Sequence, residues 1–274
     1  MHLVDSFTEA GTDALAKEFV DQGYVIRDVA DRRLLIEYRA AIVGLASEIL
    51  GVSRGEDDEA FLNGLHTRIA PEKINEFRLA VFNKTNAMPW CRASYYRMGK
   101  GVIDALVGNE LAMQNRVNLS IQMPGDPTSV LPAHSDVWSA ETPFEVVQWL
   151  PLVDVFATKA MFILPPEANR AVRGRVGAHG NATASLDLYK SFEKDFKSVD
   201  MAFGKVLVFS PILLHGNAMN ETRETRWSLN CRFTGLFTPY TSAEKTLGNF
   251  YLPITPTATS RIGMNYREPE GFDD

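Results

Sequence analysis

Residues 226 to 237 read RWSLNCRFTGLF, a short run dense in aromatic and aliphatic side chains and closed by a glycine. Such a run is a β-strand by composition, and a strand's two-residue period sets Arg226 and Ser228 on one face. Working outward, four more runs of the same kind precede it: RVNLSIQM (116–123), FEVVQWLPL (144–152), KAMFILP (159–165) and KVLVFS (205–210). Gly, Pro and Asn punctuate them. Only SLDLYKSFEKDF (185–196) interrupts with a helical pattern. Short strands in succession without long intervening helices predict a β-sandwich or barrel rather than a doubly wound α/β sheet.

The first 114 residues read differently, as a mainly helical buttress with one early strand. SFTE (6–9) has the form of a capping box opening a helix through Leu15 and Phe19 that stops at Gly23. YVIRDV (24–29) alternates like a strand. Asp31 then caps a longer helix whose apolar side carries Leu34, Leu35, Tyr38, Ile42, Leu45 and Ile49 and which Gly51 ends. Pro71 and Pro89 each suit the first turn of a further helix. Trp90, Tyr95 and Tyr96 fall at helical spacing and are expected in the core. The segment 238–274 carries Pro239, Pro253, Pro256 and Pro269 and is expected to be an irregular cover over the strands. With no repeat or low-complexity linker, the expectation is a single domain over 1–274 with its β core at 115–237.

Composition narrows the function. Of 274 residues, 45% are hydrophobic and 23% charged, as in a soluble globular chain. A net charge of -6 argues against general affinity for nucleic acid, and no long uncharged run predicts a membrane span. The N-terminus lacks the basic start and apolar core of a secretory signal. Cys91 and Cys231 lie outside any CxxC spacing and are expected as buried free thiols. The expectation is a cytoplasmic protein, monomer or homodimer, acting on a small molecule.

The chemistry starts in LPAHSDVWSA (131–140), where His134 and Asp136 are one residue apart. The pair alone is open to three readings: an accident, an acid–base dyad, or part of a metal site. Of the five histidines, His215 stands apart because it closes the apolar run KVLVFSPILLHGN. Two histidines and one carboxylate cover three positions around a metal and leave three open, the facial arrangement of non-haem Fe(II) oxygenases. Eleven residues after His215 stands Arg226, a guanidinium suited to bidentate pairing with a carboxylate.

Together, H134-S-D136, H215-G-N217 and N220-E-T-x-x-x-R226, with FEVVQWLPLVDV as the strand after the first two, resemble the Fe(II)/2-oxoglutarate-dependent dioxygenases of the phytanoyl-CoA hydroxylase-like family. The resemblance spans about residues 115–236, with a looser match at 23–26. It implies a double-stranded β-helix (a cupin-like jelly roll) buttressed by the N-terminal helices. It implies Fe(II) held by His134, Asp136 and His215, with 2-oxoglutarate and O2 as co-substrates. Arg226 would pair with the distal carboxylate of 2-oxoglutarate, helped by Asn217 and Ser228. Trp149 would lie beside the co-substrate, and Asn118 and Gln122 would face the same cavity. Trp138 would sit near its mouth. Lys159 stands where the family has a glycine-rich start and either meets an anionic substrate or marks a solvated edge. TKAMFILPPEANRAV also lacks the histidine of the family's P-x-S-H sequence. Because Asp136 is present, the resemblance implies hydroxylation rather than halogenation, on a small polar or anionic metabolite of carbohydrate or secondary-metabolite type. A cupin-like isomerase or epimerase usually recruits more histidines and gives Arg226 no task. A β-sandwich binding module leaves four spaced matches unused, and a metal-free dyad leaves His215 unexplained.

Overall fold

The structure is a computed structural model that describes residues 7–172 and 189–271. Helix α1 (Ala10–Gln22) ends at Gly23, whose φ of 73° is the left-handed turn that glycine adopts without strain. It begins three residues later than the capping-box pattern predicts: Glu9 is the N-cap and no side chain among the described residues caps it, while Ser6 lies outside them. In α2 (Arg32–Leu50) the predicted cap and stop hold, but of the predicted apolar side Leu34, Leu45 and Ile49 are only half-buried. The Asp31 carboxylate accepts from the Leu34 N–H, and Leu35, Tyr38, Ile42, Val43 and Ala46 form the buried stripe. Helices α3 (Asp58–Asn63), α4 (Ile74–Ala87) and α5 (Cys91–Val107) follow. Pro71 opens a 3-10 turn that leads into α4.

The strands are β1 (Tyr24–Asp28), β2 (Leu111–Gln114), β3 (Asn118–Gln122), β4 (Glu145–Pro151), β5 (Phe162–Ile163), β6 (Lys197–Ser198), β7 (Lys205–Phe209), β8 (His215–Gly216), β9 (Arg226–Gly235) and β10 (Tyr251–Pro253). They form two antiparallel sheets. In the larger, the order is β1-β7-β4-β9-β2-β10, with β3 paired to the first half of β9. The smaller has the order β6-β5-β8.

Strand β9 organises both layers because its two faces have different chemistry. Trp227, Leu229, Cys231 and Phe233 join the main core beneath the helices. Arg226, Asn230 and Arg232 face a cavity on the other side. The helical layer is anchored by specific contacts as well as burial: the Trp227 indole donates to the Leu62 carbonyl of α3, and Tyr95 of α5 donates to the Gln148 carbonyl of β4. Gly99 allows that close approach, since a Cβ there would lie 1.9 Å from Gln148 Oε1. Tyr95 and Tyr96 are buried, as their spacing predicts, and Trp90 packs edge-on against Tyr38.

Three expectations need correction. The segment after Pro239 is not wholly irregular: β10 extends the large sheet by pairing with β2, and Ala258–Met264 is helical. KAMFILP contributes only two residues of strand. The helical pattern at 185–196 is described only from residue 189, where one turn of helix gives way to β6. Among the described residues, no helix is long and apolar enough to cross a membrane.

Candidate metal centre and its cavity

Backbone pairing brings the distant histidines together. The His134 N–H donates to the His215 carbonyl at 3.0 Å, and the His215 N–H returns the bond at 2.9 Å. The loop holding His134 thus extends the smaller sheet beyond β8. His215 does not end β7, as its apolar run suggested. The chain turns over Ser210–Leu213 and presents His215 from a strand of its own. Asp136 opens a 3-10 turn, its N–H bonded to the Pro211 carbonyl, while Ser135 turns the other way and donates to the same carbonyl.

Local bonds settle which histidine atoms face inward. His134 Nδ1 lies 2.8 Å from the Pro132 carbonyl, and His215 Nδ1 lies 2.9 Å from the Leu213 carbonyl. A carbonyl oxygen only accepts, so each Nδ1 carries a proton, and the tautomer this selects leaves Nε2 as the nitrogen with a lone pair for a metal. Those Nε2 atoms lie 3.6 and 3.8 Å from Asp136 Oδ1. One ligand atom from each of the three residues falls within 4.8 Å of the others.

The electrostatics suit a cation. Burial would raise the Asp136 carboxyl, but His134, His215 and Arg232 outweigh it and hold the group well below the usual carboxylate range. Burial takes His215 down to about 4, against the pull of Asp136, so it is neutral at pH 7. Asp136 Oδ2 is buried with no hydrogen-bond partner. An ionised oxygen in that position is costly unless something positive meets it, and the residues present therefore fit a divalent metal.

Arg226 carries a second unfilled position in the same cavity. It is buried, and among the described residues only its Nη2 finds a partner, Ser120 Oγ at 3.0 Å, while Nε and Nη1 find none. Burial, with Arg78 nearby, lowers it to about 10, so it stays charged at neutral pH. The cavity of about 120 Å³ is walled on its apolar side by Val147, Trp149, Met161 and Phe209.

The structure brings His134, Asp136, His215, Trp149, Asn217 and Arg226 to one cavity. The others are placed differently. Asn217 lines the wall but spends its amide on backbone, accepting from the Leu131 N–H and donating to the Ser129 carbonyl. Ser228 is buried on the cavity-facing side of β9 without reaching the wall, its hydroxyl unpartnered. Asn118 and Gln122 do not line the cavity: Asn118 donates to Asn230 and Gln122 to the Ala218 carbonyl. Trp138 is not on the wall either and is 42% exposed. Lys159 is corrected outright. It is fully buried, away from the cavity, with Nζ 2.9 Å from Asn63 Oδ1 and 2.7 Å from Glu224 Oε2. It is not a solvated edge. The sequence reading missed Ser120, Asn230 and Arg232, all on the wall. The last two lie four and six residues beyond Arg226, and the same period that placed Ser228 would have found them.

No protein family model and no curated protein matches the sequence. Solved structures do match. ThoJ, a non-heme monooxygenase solved as a nickel complex, is 17% identical with a TM-score of 0.57, over 94% of this chain and 89% of that one. SnoK, a non-heme alpha ketoglutarate-dependent carbocyclase from nogalamycin biosynthesis, is 16% identical with a TM-score of 0.57, over 88% and 96%. EctD from S. alaskensis, solved with 2-oxoglutarate and 5-hydroxyectoine, is 17% identical with a TM-score of 0.55, over 90% and 84%. The chain has their fold. This jelly roll holds its His-Asp-His cluster between the two sheets, and identities this low show the fold alone, so the chemistry is argued from the site.

Proposed function

We propose that the protein is a non-haem Fe(II)- and 2-oxoglutarate-dependent oxygenase that hydroxylates a small metabolite. The observation that carries this is the pairing, in one cavity, of a His-Asp-His face having an unpartnered carboxylate oxygen with a buried arginine having two unpartnered nitrogens. Each unfilled group matches one half of the cofactor requirement. A metal ion would satisfy Asp136, and a dicarboxylate reaching from the metal would satisfy Arg226. Two structures of this fold, the non-heme monooxygenase ThoJ with nickel and EctD with 2-oxoglutarate, support the same reading.

In this reading His134, Asp136 and His215 hold the iron, and Arg226 with Ser120 holds the distal carboxylate of 2-oxoglutarate. When bound, iron and 2-oxoglutarate supply, with O2, the two-electron oxidation of a C–H bond and release succinate and CO2. The chain's own share is binding, orientation and the exclusion of water. The carbonyls of Pro132 and Leu213 keep both imidazoles in the ligating tautomer. Val147, Trp149, Met161 and Phe209 keep the reacting centre dry. With Lys159 buried elsewhere, a polar carbohydrate-type or secondary metabolite suits the described wall better than a strongly anionic one, because Arg226 is already assigned.

The test is an anaerobic titration of metal-free protein with Fe(II) and then 2-oxoglutarate. A visible charge-transfer band that requires both is expected, followed by succinate on admitting air. Absence of the band and of succinate would sink the proposal.

A further inference from the structure

Arg232 shares the cavity wall with Arg226, but its surroundings are the reverse. Its Nη2 lies 2.8 Å from Asp136 Oδ1, the oxygen nearest both histidines. Its Nη1 donates to Gln114 Oε1 at 3.3 Å, and its Nε lies 3.5 Å from an oxygen of Glu141 and 3.5 Å from one of Glu145. Those acids are themselves held. Lys245 Nζ is 2.7 Å from Glu141 Oε1, and the Tyr251 hydroxyl bridges Glu141 Oε2 and Glu145 Oε2. Glu141, Glu145 and Tyr251 are all buried.

This environment argues against a ligand-binding role for Arg232. A guanidinium already engaged by the Asp136 and Glu141 carboxylates and by the Glu145 carboxyl is poorly placed to take a further anion. What it does hold is one oxygen of Asp136, leaving the other without a partner. A carboxylate free to rotate about its last bond would give up orientation each time a metal bound; one charged N–H held 2.8 Å from one of its oxygens, on a guanidinium itself fixed by Gln114, Glu141 and Glu145, restricts that freedom.

We propose that Arg232 is a positioning residue for the metal centre. It fixes the plane of the Asp136 carboxylate, and Gln114, Glu141 and Glu145 fix Arg232 in turn. Lys245 and Tyr251 complete the brace, so the segment after β9 supports the metal face from behind rather than only covering the strands. The inference rests on the reading that His134, Asp136 and His215 bind a metal.

Cobalt(II) is the probe, because its visible d–d bands report ligand geometry without turnover. Metal-free wild-type protein, Arg232→Gln and Arg232→Lys are titrated anaerobically, with affinity read by calorimetry and bands by absorption. Wild type is expected to take up one Co(II). Arg232→Gln should bind it about 10- to 100-fold more weakly, with shifted bands, and Arg232→Lys should recover part of both. Wild-type affinity and bands in Arg232→Gln would overturn the inference while leaving the metal site standing. No Co(II) uptake by wild type would overturn the metal assignment itself, and this inference with it. If Arg232→Gln does not fold, Tyr251→Phe decides: a band shift with weaker binding supports the brace, and an unchanged titration overturns it.

Discussion

Two positions on β9 present the same side chain to the same cavity in opposite states. Arg226 is a buried cation with one hydroxyl for company; Arg232, six residues on, faces three acidic side chains and an amide. Burial lowers Arg226 to about 10, whereas at Arg232 the carboxylates of Asp136, Glu141 and Glu145 overcome burial and hold the guanidinium firmly protonated. An unsatisfied charge costs stability in the empty protein and is useful only when a ligand completes it. A satisfied charge shapes its neighbours. Identity of residue therefore says less about role than what surrounds it.

Stability measurements would break this contrast most directly. Arg232→Met should cost about 3–5 kcal/mol in urea denaturation of metal-free protein, because it leaves buried carboxylates uncompensated. Arg226→Met should cost nothing or raise stability, since it removes a buried charge that has almost no partners. Equal losses in the two variants would dissolve the distinction.

Ligand binding sharpens it from the other side. With metal bound, Arg226→Met should weaken 2-oxoglutarate by about 100-fold, the loss of a bidentate charge-assisted pair worth roughly 2–3 kcal/mol, while Co(II) affinity stays within a few-fold of wild type. Calorimetry with each ligand in turn checks this. Unchanged 2-oxoglutarate affinity would remove Arg226 from its assigned role.

What the sequence disclosed follows the same division. The grouping of His134, Asp136, His215 and Arg226 was legible from the spaced H-x-D, H and R pattern and its family resemblance, although Asp136 opens a 3-10 turn and His215 stands on a short strand of its own rather than at the end of β7. Arg232 was equally legible from the period of β9, but its function was not. Glu141 and Glu145 look like ordinary polar positions in ETPFEVV, and Tyr251 and Lys245 sit in a segment that prolines marked as irregular. Their convergence depends on β10 pairing with β2, and a four-residue strand such as LAMQ carries too little periodicity to announce that partnership. Lys159 failed for another reason. Lysine is almost always exposed, and nothing local in TKAMF signals that Asn63 and Glu224, from distant segments, will close over it.

The brace behind Asp136 also makes a pH prediction. Burial, reinforced by Glu141 and Asp136, pushes the Glu145 carboxyl up to about 8 despite Tyr251 and Arg232. The folded protein then keeps a proton that the unfolded chain releases near its ordinary carboxylate pKa. The stabilisation is full below about pH 4.5 and is lost as pH rises through about 8, with a slope of up to about 1.4 kcal/mol per pH unit. Between about pH 7.5 and 8, His215 is neutral in the folded protein and largely so in the unfolded chain, so Glu145 dominates this set. Glu145→Gln should flatten the dependence there. A wild-type slope in that variant would mean the proton resides elsewhere.

Lys159 supplies the smallest effect and a control for both arginines. Its ammonium is buried like the Arg226 guanidinium yet paired like that of Arg232, but its acid partner is not buried. The Glu224 side chain is 41% exposed and regains water when the lysine goes. Burial lowers the Lys159 pKa and Glu224 only partly restores it, so the pair is a weak contributor. Lys159→Met should therefore cost about 1 kcal/mol or less and leave Co(II) and 2-oxoglutarate affinities unchanged, since neither Lys159 nor Glu224 lines the cavity. A loss as large as that of Arg232→Met would show that burial of the cation alone, rather than burial of its carboxylate partners, sets the cost of removing it.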